Sequence, residues 1–428
     1  MLYSDAGEIP PLRERRGVRA CPELVERGEV LSLDLHLVAG QVARMASRLR
    51  DDQHEWHRRL EAALEALETQ SPHWRDLEAK RQASQAHLTL LAPQLVAPLA
   101  EAHDPPPLPG DYTVLASDGS SIDVDRNAPA RCYLINIGTV KLRYGPDPDA
   151  DLRSSPRLAF EEEMAIPGPN KGDMEPLQGA ALAAQRTVDE CRALAESASD
   201  TTGPTLGLLD GSLILWGLAS QEFDGPRRFV REALLSKGLV PALDALAGRK
   251  GLALASYISL PGASEAVNAL RLGLCPLDPA NCDRCRRERE TQECQALAGV
   301  LDRHLFGEWL RPGQRSALFL SPSRIVKEYY GRHQVAFFYL RLEDEVARVE
   351  VPQWIEERGM LDFVHSVLLE QSRLGMGYPV ALSEAHEQAV LTTGDREAFW
   401  ALVERELGSQ GLEAGTSAKS LSKRRRWL

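Results

Sequence analysis

The sequence predicts an α/β protein: a mixed sheet core with flanking helices, preceded by a helical hairpin and interrupted by a small cysteine-bearing insertion. Three observations predict it. Apolar, β-branched runs such as YTVLASD, TLGLLD and GLALASYIS alternate with helical stretches through the middle of the chain. QVAFFYLRL and EVARVEVPQW follow one another closely enough to pair as an antiparallel hairpin. Residues 33–99 are rich in Arg, Glu, Ala and Leu and read as helix.

With 428 residues, 43% hydrophobic and 26% charged, the chain has the make-up of a globular protein too long for one core. No signal peptide is visible: Arg13, Arg15, Arg16 and Arg19 have no apolar run behind them. No apolar stretch reaches the roughly 18 residues of a membrane helix, so the expected location is cytoplasmic. A net charge of −12 argues against a surface coated for nucleic acid. It does not argue against a nuclease, whose metal-holding carboxylates are themselves acidic. The basic end KSLSKRRRWL, with Lys419, Lys423, Arg424, Arg425, Arg426 and Trp427, reads either as a solubilising tail or as a phosphate or partner contact.

Taken in order, Leu33 to Leu67 predicts a helix with Val42, Met45 and Leu49 on one face. TQSPHW breaks it; Ser71 with Pro72 behind it is placed to cap a second helix running to about Leu99. His54 and His57 on the first helix read as solvated surface. HDPPPLPGD is a stiff linker and divides a helical arm, 1–102, from a domain over 110–405; a basic tail occupies 406–428. YTVLASD and ARCYLINIGTVKLRYG read as strands, GPDPDADLRSSP as a loop, and 161–176 as a polar, mobile segment. A helix from Leu177 to Ser197 precedes the strand TLGLLD. Helices follow over PRRFVREALLSKGLVPALDALAG, GASEAVNALRLGL and PQWIEERGMLDFVHSVLLEQSRLGMG.

Two apolar runs end in the same tripeptide, Asp118-Gly119-Ser120 and Asp210-Gly211-Ser212. Asp-Gly is a common turn. A carboxylate at the C-terminal end of a strand also points into the crevice where ligands bind, and two on adjacent strands hold hard divalent cations. Both readings stand at this stage. Glu190 lies four residues after Arg186, a spacing that usually marks a surface ion pair. In GMGYPVALSEAHEQAV, the polar groups Tyr378, Glu384, His386 and Glu387 sit in an apolar segment. A His beside paired carboxylates serves as a ligand or protonates a leaving group; a lone one is structural.

Four cysteines form the pattern Cys275-x6-Cys282-x2-Cys285-x8-Cys294. Such a set reads as reduced free thiols or as a four-thiolate site, holding either a [4Fe–4S] cluster or Zn²⁺. Its place is a short insertion, 273–296, and Cys21, Cys132 and Cys191 read as ordinary thiols.

Five segments in order resemble the NurA family of DNA-repair nucleases: ASDGSSID, QRTVDECRAL leading into LGLLDGSLILWG, SYISLPGASEAVNALRLGLCP, VAFFYLRLEDEVARVEVPQWI and GYPVALSEAHEQAV. They span about residues 110–400, and R-x-E-x-P-x-W and G-Y-P-x-x-L-x-x-A-H-E are the specific ones. The resemblance implies an RNase H-like, PIWI-like core and a Mn²⁺-dependent deoxyribonuclease binding two Mn²⁺ per subunit, with Mg²⁺ as a substitute. It implies a homodimer acting on DNA ends with the hexameric helicase-translocase HerA: internal cuts in single strands and 5′ to 3′ resection in double-strand break repair. Carried over residue by residue, the family's aspartates fall on Asp118 and Asp210, its helix glutamate on Glu190 or Glu196, and its tyrosine and histidine on Tyr378 and His386. In that reading Asp118 bridges both metals, Asp210 and Glu190 complete their shells, His386 ligates or assists the leaving group, and Tyr378 orients water or phosphate. Arg324, Lys327 and Arg348 are candidates for gripping the strand, although Glu350, on the same strand face as Arg348, favours a structural pair there. The cysteine set departs from the minimal family pattern. The competing expectations are an inactive NurA-like scaffold that binds DNA or a partner, and an RNase H-like enzyme acting on RNA.

Overall fold

The computed structural model describes residues 34–124, 128–167, 174–219, 228–288 and 292–412. Cys21 and the basic residues 419–426 with Trp427 lie outside them. The chain divides into two compact units, Met1–Glu55 and Trp56–Leu428. The first contains the start of α1 (Leu35–Gln70), where Val42, Met45 and Leu49 are exposed.

The second unit begins within the stretch expected to form a separate arm. Its elements are the rest of α1, then α2 (Trp74–Ser84), β1 (Gln94–Leu95), β2 (Ala102–His103), β3 (Tyr112–Ile122), β4 (Cys132–Tyr144), β5 (Asp149–Phe160), β6 (Ala165–Pro167) and β7 (Met174–Pro176). There follow α3 (Ala180–Ser197), β8 (Thr205–Asp210), α4 (Arg228–Leu234), α5 (Val240–Ala247), β9 (Leu252–Ile258), α6 (Glu265–Gly273), α7 (Cys282–Glu288) and α8 (Asp302–Trp309). The chain then runs through β10 (Arg315–Ser316), β11 (Phe319–Leu320), α9 (Arg324–Tyr329), β12 (Val335–Arg341), β13 (Val346–Pro352), α10 (Trp354–Glu357), α11 (Leu361–Leu374), α12 (Val380–Ala389) and α13 (Thr393–Ser409).

The sheet order is β1-β11-β12-β13-β9-β8-β3-β4-β5; β10 pairs with β12, and β2 with β10. β3, β8 and β9 are parallel neighbours, and their residues are buried almost throughout, as a strand covered on both faces must be. β3, β4 and β5 form an antiparallel meander. Its two faces are covered by different helices. A side chain at Gly119 would meet Glu190 and Arg186 of α3, and one at Gly138, which faces Asp118 across the β3–β4 pair, would meet Ala385 and Ala389 of α12. Adjacent positions along a strand point to opposite faces, so α3 and α12 sandwich the sheet at this point.

Four expectations change. The second helix ends at Ser84 rather than near Leu99, because Gln94 and Leu95 pair with Leu320 and Phe319. Ser71 caps no helix; its hydroxyl accepts the Ala100 amide at 2.8 Å. GPDPDADLRSSP is not simply a loop: from Asp149 on it lies in β5, paired with β4 from Arg143↔Asp149 to Cys132↔Phe160. That strand lies at the sheet edge with Ala159 as its one buried residue, so no apolar alternation marks it. Segment 161–176 holds the short β6–β7 pair, with 168–173 outside the described residues.

The helical pair belongs to a second core. Leu60, Ala63 and Leu67 of α1 and Leu77 of α2 are buried with Val267 and Leu270 of α6, Leu305 and Phe306 of α8, and Phe337 and Tyr339 of β12. No helix among the described residues is long and apolar enough to cross a membrane.

Candidate active site

The two Asp-Gly-Ser segments fold differently and arrive at the same place. β3 runs straight through Asp118 to Ile122, so the first is no corner. The second does turn, with Gly211 at φ 79°, a conformation open to glycine. β3 and β8 pair in parallel from Thr113↔Thr205 to Ser117↔Leu209, and the next residues on the two strands are Asp118 and Asp210. Each carboxylate is oriented by the amide after it: Gly119 N–H donates to Asp118 Oδ1 at 2.7 Å, and Gly211 N–H to Asp210 Oδ1 at 2.9 Å.

The helix α3 supplies Glu190. Val188, Cys191 and Leu194 pack onto the sheet and thereby set the face that Glu190 occupies. The Glu190 backbone carbonyl accepts the buried Ser117 hydroxyl at 2.8 Å, one residue before Asp118. Gly119 admits the carboxylate: a Cβ there would lie 2.6 Å from Glu190 Oε1. Glu190 is buried, in ion-pair contact with Arg186 at 3.3 Å. Burial pushes its pKa up to about 8; Arg186 opposes the rise, and Asp118 and Asp210 add to it. Glu196, the alternative, instead lines a separate cavity between α3 and β4–β5 with Asp189, Arg192 and Lys141.

The helix α12 brings the last group. Asn136 on β4 holds its end, with Nδ2 donating to the Gln388 and Ala389 carbonyls at 3.1 and 2.9 Å. His386 Nδ1 is then 2.8 Å from Asp118 Oδ2, and the imidazole is 61% exposed. Tyr378 OH donates to Asp210 Oδ1 at 2.9 Å. Burial pushes the Asp210 pKa up, Tyr378 lowers it, and Asp118 raises it further.

Sequence reading missed several supports. Glu345 accepts the Tyr257 hydroxyl at 2.6 Å and the Ser259 hydroxyl at 2.7 Å. Tyr257 is the sheet partner of Asp210, and its ring meets that of Tyr378 edge-on at 5.5 Å. The signal available was weak: one acidic residue in the EDE turn between two apolar strands.

Of the strand-gripping candidates, Arg348 is excluded by burial, its guanidinium being taken by Glu350 and Glu265. Arg324 and Lys327 are exposed on α9, and Arg324 lies 3.5 Å from Glu328.

Among the described residues, no three His, Cys, Asp or Glu side chains stand together as a ready metal site. Asp118 contacts His386, Asp210 contacts Tyr378 and Glu190 contacts Arg186. The donor chemistry nevertheless fits a hard cation. The Asp118 and Asp210 carboxylates lie near enough to Glu190 for their charges to act on it, and burial drives Glu190 toward its protonated form although Arg186 opposes the shift.

The four cysteines lie in and around α6, α7 and the turn that follows. Cys275 follows α6, Cys282 and Cys285 lie three apart on α7, and Cys294 is in a 3₁₀ turn whose carbonyl accepts Arg271 Nε at 3.0 Å. Burial raises the Cys294 thiol pKa, Arg271 opposes it, and the Cys275 and Cys282 thiols stand near enough to raise it further.

The core is thus an antiparallel three-strand meander extended by two parallel strands, with carboxylates from β3, β8 and α3 toward one end and helices on both faces. The NurA domain model matches residues 112–391, so the chain belongs to the NurA family. Among solved structures, a crystal structure of NurA with manganese aligns at 12% identity over 71% of this chain and 91% of that one, with a TM-score of 0.33. A type 1 RNase H with the type 2 active-site motif aligns at 15% identity over 39% and 72%, with a TM-score of 0.20. A foamy virus protease–reverse transcriptase aligns at 13% identity over 50% and 23%, with a TM-score of 0.20. No curated protein matches.

Proposed function

We propose that this chain is a Mn²⁺-dependent deoxyribonuclease that resects DNA ends in double-strand break repair, as a homodimer working with a HerA-type translocase. The observation that carries the nuclease chemistry is the matched position of Asp118 and Asp210 on neighbouring parallel strands, with the buried Glu190 near enough for their charges to act on it. Bound there, a pair of divalent cations supplies water activation and stabilisation of the leaving 3′ oxygen.

The chain's own residues do the rest. Asp118, Asp210 and Glu190 are the oxygen donors. Tyr378 fixes Asp210 by its hydrogen bond and orients the phosphate. His386, tied through Nδ1 to Asp118, leaves Nε2 to ligate or to pass a proton to the leaving group. Arg324 and Lys327 on α9 grip the strand.

Asp118→Ala or Asp210→Ala is expected to abolish Mn²⁺-dependent cleavage of 5′- and 3′-labelled single- and double-stranded DNA with the fold intact. Full activity of pure Asp210→Ala protein overturns the assignment. The same assay with labelled RNA tests nucleic-acid choice. Calorimetry showing two Mn²⁺ per subunit separates the enzyme from an inactive scaffold. For the four cysteines the proposal is a [4Fe–4S] cluster or Zn²⁺, fastening 273–296. Visible absorption of anaerobic protein identifies the cluster, and elemental analysis identifies zinc.

A further inference from the structure

The R-x-E-x-P-x-W segment takes no part in the carboxylate cluster, yet it reaches it from beneath. Arg348 and Glu350 lie two apart on β13 and are both buried. Arg348 Nε donates to Glu350 Oε1 at 2.9 Å. The other oxygen, Oε2, accepts the Ser212 hydroxyl at 2.8 Å and the Leu213 amide at 2.9 Å. These are the residues directly after the Asp210-Gly211 turn.

The rest of the turn is held from the same side. Ser212 Oγ accepts the Ile214 amide at 3.0 Å. Tyr330 OH donates to the Leu213 carbonyl at 2.8 Å and accepts the Leu215 amide at 3.1 Å. Arg348 is clamped in turn: Nη1 donates to Glu265, the first residue of α6, and Asp302 caps that helix by accepting the Ala266 and Val267 amides at 3.0 and 2.9 Å.

A buried guanidinium between two carboxylates is expensive to desolvate, and apolar residues of like size would hold β13 at least as well. The arrangement does something apolar residues cannot: it delivers a charged acceptor to two donors of one turn. That turn decides the direction of the Asp210 carboxylate, whose Oδ1 already accepts Gly211 N–H and Tyr378 OH. We propose that Glu350, held by Arg348, is a positioning residue that locks the turn 211–213 and so presents the Asp210 carboxylate to the cation site. The inference rests on the proposed cation chemistry at Asp118, Asp210 and Glu190.

The test is Mn²⁺ binding by calorimetry on the full-length chain, with thermal unfolding on the same samples. Asp210→Asn is the reference. Ser212→Ala removes one of the two donors while leaving the buried pair intact. It is expected to weaken Mn²⁺ binding about 10-fold, in the range seen when groups behind metal ligands are removed, with the unfolding temperature close to wild type. Ser212→Thr, which restores the hydroxyl, is expected to recover wild-type affinity. Glu350→Gln is expected to weaken binding more than Ser212→Ala and to lower the unfolding temperature as well. Wild-type Mn²⁺ affinity in both Ser212→Ala and Glu350→Gln, with Asp210→Asn impaired, overturns this inference alone. Wild-type protein that binds no Mn²⁺, or Asp210→Asn that binds it normally, overturns the cation reading and this inference with it.

Discussion

Asp118 and Gly138 face each other across the antiparallel β3–β4 pair, and the missing side chain at 138 is what allows His386 to reach Asp118. A Cβ at 138 would stand 2.2 Å from the Ala385 carbonyl oxygen and 2.7 Å from the Ala389 amide nitrogen. Helix α12 therefore rests on bare strand backbone, directly beside the carboxylate it serves.

Gly138→Ala consequently has no cheap accommodation, since its neighbours are helix backbone. α12 must lift, and His386 moves with it. Cleavage is expected to fall about 100-fold, the scale of an ångström-level misplacement, together with a lower unfolding temperature. Wild-type activity and stability would show that α12 can shift without consequence.

Gly119→Ala probes the other face and separates site from scaffold. Its added Cβ meets Glu190 Oε1, Arg186 Cγ and Ile137 Cδ1 at 2.6, 2.8 and 3.0 Å, all side-chain atoms rather than the helix backbone that Gly138 faces, so the α3 side chains must shift. The fold is expected to survive with a lowered unfolding temperature, less so than for Gly138→Ala, while Mn²⁺ affinity and cleavage drop at least about 10-fold. A variant that unfolds but cleaves normally when folded would contradict the placement of Glu190.

Glu190 sets the alkaline arm of stability for the metal-free protein. Its carboxyl titrates near 4.5 when unfolded and at about 8 when folded, burial being the main cause. The folded state holds the proton longer, so the contribution is whole below 4.5 and is lost as pH rises through 8. The expected slope approaches about 1.4 kcal/mol per pH unit across that window. Thermal unfolding from pH 5 to 9 should show the decline; Glu190→Gln should flatten it, and so should added Mn²⁺. A Glu190→Gln profile parallel to wild type would refute the burial account.

His365 sets the acid arm. Burial lowers its pKa to about 4, against the Gly313 carbonyl at 2.7 Å from Nε2, which favours the proton. The unfolded chain protonates first, near 6.5, so this contribution is present above 6.5 and is lost as pH falls toward 4. Unfolding temperatures measured between pH 7 and 4 should fall less steeply in His365→Gln than in wild type, from a lower starting value.

Much of the core was legible because burial leaves a trace in composition. β3, β8 and β9 are covered on both faces and read as near-continuous apolar runs, and α3 carries its apolar stripe through Val188, Cys191 and Leu194. The edge strand β5 left no such trace, because its pairing uses backbone groups while its side chains face solvent. Likewise Glu190 and Glu196 are alike as residues; the face of α3 that meets the sheet separates them.

By itself the sequence determined the chemical inventory and its order: two Asp-Gly-Ser segments, an acidic helix, a Tyr–His segment and a four-cysteine pattern, in the arrangement of one family. Only the tertiary structure decided that Asp118 and Asp210 end up abreast on parallel strands, that Gly119 and Gly138 open opposite faces to α3 and α12, and that Glu350 reaches the turn behind Asp210. The reason is physical. Residue types and local periodicity are encoded along the chain, but register between distant strands and the approach of helix to sheet are settled by side-chain volume and hydrogen bonding across the packed core.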